Sequence, residues 1–239
     1  MDKKTFLVRK ETISRIINDV KEIKLNPLHE QNIYYRHDED NILNGHALII
    51  GPKDTPYENG YYFFNFFFPS DFPYSPPLVK YLTNDGITRF HPNFYRNGKC
   101  CLSILNTWKG DEWTSCLTIS SVLLSLCILF TNDPLLHEPG INENHHEIQL
   151  YNQVIEYKNY SVAIFNTIQK KCYLYNVFSD VIKKHFNDNK IDIINSLEKK
   201  QKQRDEKKTI VINISVYEMK DIVINYPLVI KNIKKIEIK

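Results

Sequence analysis

The sequence predicts an α+β fold, and three observations carry that expectation. An amphipathic helical segment opens the chain, short β-type runs divided by turn signals follow, and a long irregular passage then leads into apolar helical stretches. Strands grouped ahead of helices build an α+β architecture, whereas a parallel sheet needs the two to alternate.

In ETISRIINDVKEIKL, residues 11–25, Ile13, Ile16, Ile17, Val20 and Ile23 recur at spacings of three and four, which lines one face of a helix. Pro27 stops it. Between residues 32 and 82 the runs NIYYR, HALIIGP, YYFFNFFFP and LVKYL are separated by Asn44-Gly45, Asn59-Gly60 and the prolines of 69–77, the pattern of a four-stranded antiparallel meander. Tyr61 to Phe68 are aromatic at nearly every position, so both faces of that strand should be covered, one of them by helices.

Residues 83–117 hold Gly86, Pro92, Gly98, Gly110 and both tryptophans without regular periodicity, and ordered loops of such length are usually functional. Thr118 or Ser120 starts a buried helix over about 118–130, which ends before Asp133-Pro134. Residues 145–171 and 177–200 are helical in pattern, and EKKQKQRDEKK marks a charged boundary. The alternation in TIVINISVYEMKDIVINYPLVIKNIKKIEIK predicts a small sheet, able to dock on the core, bind a partner or self-associate. The expected division is a core at 8–175, a helical extension at 176–204 and a β-rich tail at 205–239.

The 239 residues, 42% hydrophobic and 13% aromatic, suffice for a real core. Lys and Arg number 31 against 28 Asp and Glu, a net charge of +3 spread in mixed-sign runs, so no nucleic-acid partner is expected. Cys100, Cys101, Cys116, Cys127 and Cys172 form an odd set without C-x-x-C spacing, which fits reduced thiols in the cytoplasm or nucleus. MDKKTFLVRK shows no secretory apolar region, and the apolar run at 122–130 is far short of the roughly 20 residues that span a bilayer, so no membrane partner is expected.

HPNFYRNGKCCLSIL, residues 91–105, brings His91, Asn93 and an adjacent cysteine pair into one stretch. If residues 99–105 are extended, Cys100, Leu102 and Ile104 share an apolar side, while Cys101, Ser103 and Leu105 share a more polar one. Cys100 is then the buried thiol and Cys101 the accessible one. A vicinal disulfide demands strained geometry, and a zinc site needs two further ligands that the segment lacks, so no metal is expected. Free cysteine is among the most buried residue types, and composition alone leaves two structural thiols as an open alternative.

H-P-N, four further residues and G-K-C-C-L closely resemble the signature of ubiquitin-conjugating (E2) enzymes, in which the active cysteine lies eight residues after the Asn and precedes a Leu. GPKDTPYENGYYFF, FPSDFPYSPPLV and EWTSCLTISSVLLSL match that family's other motifs in order and spacing, over roughly residues 10–172. FHPNFYRNGKCCLSIL, NTWKGDEW and NDPLLHEPG together resemble the large E2s with C-terminal extensions that work with the second vertebrate ubiquitin-activating enzyme. The resemblance implies the ubiquitin-conjugating (UBC) fold: an N-terminal helix, a four-stranded antiparallel meander, an active-site loop and C-terminal helices.

It further implies that Cys101 takes ubiquitin, or a ubiquitin-like modifier, from an E1 activating enzyme as a thioester and passes it to a substrate lysine or an E3 ligase. No cofactor is implied, because ATP is consumed by the E1. Asn93 would donate its amide to the oxyanion, His91 would brace the turn, and the loop NDPLLHEPG offers His137 and Glu138 as groups at the lysine gate, Glu138 being favoured as the acid. Ser103 stands where many members have Asp and so supplies no acid. The first helix with Arg15 would meet E1 and E3, Tyr74 would be an E3 anchor, and Thr114, Ser115 and Cys116 replace the family's S-P-A loop, a departure from the surface that ordinary RING-type E3s use. Two competing readings are a catalytically inactive E2-like ubiquitin-binding scaffold, which would lack the cysteine, and a cysteine protease, whose signatures are missing.

Overall fold

The computed structural model describes residues 8–203 and 209–237. The expected boundary at residue 205 and the second part of the charged run around it, residues 204–208, lie outside the described residues.

Helix α1 spans Lys10–Leu25, and its buried face is Thr12, Ile16, Asp19 and Ile23. The spacing is helical, but the face is rotated from the all-isoleucine stripe, and Ile17 is 40% exposed. Two polar residues occupy it because each is satisfied: Thr12 donates to the carbonyl of Phe72 at 2.7 Å, and Asp19 takes up the charge of Arg15.

Strands β1 (Ile33–His37), β2 (Asn44–Ile50), β3 (Tyr61–Phe67) and β4 (Leu78–Tyr81) pair antiparallel in sequence order. The register sets Ile49 between Ile33 and Tyr62. On β3 the alternation sends Tyr62 against Phe130 and Phe64 against Tyr81 and Phe94, while Tyr61 and Phe63 turn the other way to meet His185 and Phe178. His185 belongs to helix α4 (Ser179–Gln203), which Phe178 immediately precedes, so helices cover the second face as the aromatic density of the strand requires.

Helix α2 (Ile119–Cys127) starts with a capping box in which Thr118 and Ser121 exchange bonds with each other's backbone. It buries Ile119, Val122, Leu123 and Leu126 and is followed by a 3-10 turn at Pro134–His137. Helix α3 (Ile148–Lys158) runs into a π-helical stretch, Asn159–Asn166, so the single helix expected there changes pitch midway. Asn159 fixes the junction: it accepts from the Tyr62 hydroxyl at 2.7 Å and donates to the carbonyl of Glu58 at 2.8 Å. A Cβ on Gly60 would sit 1.8 Å from the Asn159 Oδ1, so only glycine admits this approach.

The tail corrects the β-rich expectation in part. Strands β5 (Ile210–Ile214) and β6 (Met219–Ile224) form a separate antiparallel hairpin, but α5 (Tyr226–Lys234) is a helix. Asn225 caps it by accepting from the Leu228 N–H at 2.9 Å, Pro227 suits its first turn, and Tyr226, Val229, Ile230 and Ile233 are buried at helical spacing. The tail packs on the core: Lys234 meets Glu198 of α4 at 2.6 Å, and the Tyr226 ring lies 5.5 Å from Tyr157 of α3.

Candidate active site

The site is built by a short chain reversal. Tyr95 N–H donates to the carbonyl of Lys99, and Gly98 N–H donates to that of Tyr95, each at 2.9 Å. Gly98 has φ +91°, and a Cβ there would lie 2.8 Å from the Tyr81 carbonyl, so the turn requires glycine. The reversal sets Phe94 opposite Cys100 and therefore Cys101 beside Asn93. Two bonds hold that pair: Cys101 N–H to the Asn93 carbonyl at 2.9 Å, and Asn93 Nδ2 to the Cys101 carbonyl at 2.6 Å.

His91 is fully buried, and its Nδ1 accepts the Asn93 N–H at 3.0 Å, which leaves the neutral ring's proton on Nε2. Burial, aided by the nearby His137 and Arg89, pushes its pKa well below the ordinary imidazole value. A ring so hard to protonate, with one nitrogen already committed to the backbone, braces the turn and is a poor proton acceptor.

Two expectations about the cysteines change. The extended stretch ends at Leu102 and a 3-10 turn takes over at Ser103–Leu105, so the two-sided alternation applies only to the cysteines and Leu102, and Leu105 is buried. Cys101 is 3% exposed, hardly more than Cys100 at 2%. Asn93 pairs with one edge of the segment, while Thr107 folds back to bond the Cys100 carbonyl and the Leu102 N–H, so chain occupies both edges around two small side chains. A difference survives: Cys100 belongs to the apolar core cluster, whereas Cys101 does not. Burial pushes the Cys100 thiol far above its usual range, which makes it inert.

The loop after α2 closes on the same turn. The His137 ring lies 4.9 Å from that of His91, and His137 Nε2 is 3.3 Å from the Thr131 hydroxyl. Glu138, the next residue, accepts from the hydroxyl of Tyr217 at 2.7 Å. Ser103 lies beside Gly110, whose φ is +138°.

Among the expected partner residues, Tyr74 is 64% exposed, and Ser115 and Cys116 are exposed. Arg15 is turned inward: its guanidinium donates to Asp19, to the Ser115 carbonyl and to that of Leu117. Its demonstrated work is to brace the 115–117 loop against α1. Trp113 is buried and donates to the carbonyl of Pro73 at 2.7 Å.

Sequence reasoning missed Arg89, Thr107 and Tyr217. Arg89 donates to the carbonyls of His91 and Pro92, and its guanidinium stacks between the rings of Tyr95 (3.4 Å) and Tyr217 (5.2 Å). Only Tyr217 has its hydrogen-bond partners far along the chain; the Arg89 guanidinium and Thr107 bond residues two to seven positions away, but no motif marks either of them. Among the described residues no group of three or more His, Cys, Asp or Glu is placed to hold a metal ion, and no helix is long and apolar enough to cross a membrane.

The profile of the ubiquitin-conjugating enzyme family matches residues 15–163. Ubiquitin-conjugating enzyme E2 Z of Xenopus tropicalis is 39% identical over 179 residues, covering 74% of this chain and 56% of its own length. The Homo sapiens E2 Z is 48% identical over 130 residues, 53% of this chain and 37% of its own. The dual E2 ubiquitin-conjugating enzyme/E3 ubiquitin-protein ligase BIRC6 of Homo sapiens is 43% identical over 115 residues, 46% of this chain and 2% of its own. The chain thus spans about half the length, or less, of these relatives.

Proposed function

Because the chain belongs to the ubiquitin-conjugating enzyme family, we propose that it acts as an E2 transferase with Cys101 as the acyl carrier. The Cys101 thiolate attacks the thioester carbonyl of ubiquitin, or a ubiquitin-like modifier, on the E1 cysteine; the new C–S bond forms as the E1 thiolate leaves. Exchange between thiolates of similar basicity runs readily in both directions, and ATP enters only through the E1.

A lysine amine of a substrate then attacks the Cys101 thioester, or an E3 cysteine takes the acyl group. Attack generates an oxyanion, and Asn93 carries the amide for it: one N–H of Nδ2 is committed to the Cys101 carbonyl and the second is available. An alkylammonium of pKa about 10.4 is almost wholly protonated at pH 7, and the Glu138 carboxylate receives that proton. Tyr74 and the 115–116 loop form the E3-facing surface, with Arg15 holding the loop in place. Residues 8–175 are the catalytic core and 176–204 an extension, and the tail carries the β5–β6 hairpin and α5. Cytoplasm and nucleus are the compartments in which this chemistry finds its E1.

One observation carries the reading: the reciprocal bonds between Asn93 and Cys101 set a carboxamide beside the cysteine that the family's spacing selects. The test is incubation with E1, ATP and ubiquitin followed by non-reducing electrophoresis. A reductant-sensitive adduct lost in Cys101→Ala is expected; no adduct with ubiquitin or any of a panel of modifiers overturns the assignment.

A further inference from the structure

The turn of the tail hairpin reaches the gate loop, and it is held there from several sides. Glu147, only 4% exposed, accepts from the Ser215 N–H (2.7 Å), the Ser215 hydroxyl (2.5 Å) and the Val216 N–H (3.1 Å). Arg96 donates to the Tyr217 carbonyl at 2.5 Å, and the ring of Tyr217 packs 5.8 Å from that of Tyr151. The Tyr151 hydroxyl donates to the Arg89 carbonyl at 2.6 Å, and the Arg89 N–H points at Met219 Sδ, 3.2 Å away. A loop anchored only for packing would need apolar contacts; here both the ring and the backbone of one tyrosine are fixed, and its hydroxyl ends on Glu138.

We propose that Tyr217 is a positioning residue for acyl transfer to lysine, a tail residue that fixes the Glu138 carboxylate in the geometry that receives the incoming amine. The inference rests on the assignment of Glu138 given above. A carboxylate offers about four lone-pair sites, so one phenol leaves room for an amine while removing the rotational freedom of a half-buried loop side chain. The hydrogen bond to an ionised acceptor is of the stronger kind, and the aromatic stack on Arg89 ties it to the same backbone carbonyls that shape the H-P-N turn. The tail thereby becomes part of the transfer apparatus.

The test separates charging from discharge. The full chain is charged by E1, the E1 reaction is quenched with EDTA, and loss of the thioester is followed with free lysine or with hydroxylamine, an amine already neutral at pH 7. Tyr217→Phe, which keeps the ring and its stacking, should charge normally and discharge to hydroxylamine normally, but discharge to saturating lysine about tenfold to a hundredfold more slowly. Glu138→Gln should show the same selective loss, and the double variant no further loss. Normal lysine discharge by Tyr217→Phe alongside slow Glu138→Gln overturns the role of Tyr217 only. Slowing of hydroxylamine and lysine alike by Tyr217→Phe overturns it too, since that signals a distorted site. Normal discharge by Glu138→Gln overturns the assignment of the acid itself.

Discussion

The carboxylate of Asp19, on α1, accepts the backbone N–H of Ile119, the first residue of α2, at 3.1 Å. Asp19 is 6% exposed, and its other oxygen receives Arg15 Nε at 2.8 Å. A helix start presents unpaired N–H groups and a positive dipole end, so a carboxylate is well placed there. Arg15→Ala removes the counter-charge of a buried carboxylate and frees the 115–117 loop, and should destabilise the fold by about 1–3 kcal/mol. Urea titration measures it, and an unchanged midpoint would show that the pair contributes nothing.

The two cysteines should respond differently to serine. Cys101→Ser should form a reductant-resistant ester with the modifier or fail to charge. Cys100→Ser should charge through an ordinary thioester but lose about 1–3 kcal/mol, because a hydroxyl enters an apolar site. Reducing and non-reducing gels run side by side distinguish ester from thioester; loss of charging in Cys100→Ser alone would reverse the roles.

Asn159→Ala removes the acceptor of the buried Tyr62 hydroxyl and the donor to the Glu58 carbonyl together. Each orphaned group has a desolvation penalty of its own, so a loss of about 2–4 kcal/mol is expected. Tyr62→Phe in the same background should recover part of it, since it deletes one of the orphans. No recovery in the double variant would mean that Asn159 acts through the change of helical pitch instead.

Stability should fall with acidification below about pH 6.5, where an unfolded histidine takes up its proton. In the fold His91 stays neutral because burial holds its pKa well down, and burial lowers His37 and His185 as well. Above that pH both states bind the same number of protons at His91 and it has no effect. Below it the unfolded state binds one more, so each such group weakens the fold by up to about 1.4 kcal/mol per pH unit until its own folded pKa is passed. The midpoint of urea unfolding should therefore drop between pH 7 and pH 5.5, and drop less in His91→Gln. Equal slopes in the two proteins would place a proton on His91 in the fold.

The parts read correctly from the sequence are those whose cause is local. The four strands follow from turn residues beside them and the start of α2 from Thr118, while the pairing of Asn93 with Cys101 is implied by the family spacing and is built by the turn at Gly98 between them. The errors have non-local causes. The buried face of α1 includes Thr12 and Asp19, whose partners, Phe72 and Ile119, lie far along the chain. In YPLVIKNIK the apolar residues satisfy either period, and it was the cap at Asn225 that decided for a helix. Cys101 was expected to be accessible because nothing near it announces that Thr107 folds back over the segment. Tyr217 and Glu138 are 79 residues apart, and neither has a neighbour that names the other.

Cys101 is 3% exposed as a residue and lies outside the apolar core, so a partner reaches it through a narrow opening. If charging requires that opening to widen, its frequency sets a ceiling on turnover however fast the exchange itself is. The same enclosure shields the thiol from peroxide between cycles, since oxidation follows exposure. Slow alkylation by iodoacetamide becomes a clock for the opening, and a docked partner that speeds the clock would be acting as a latch on the enzyme's resting state.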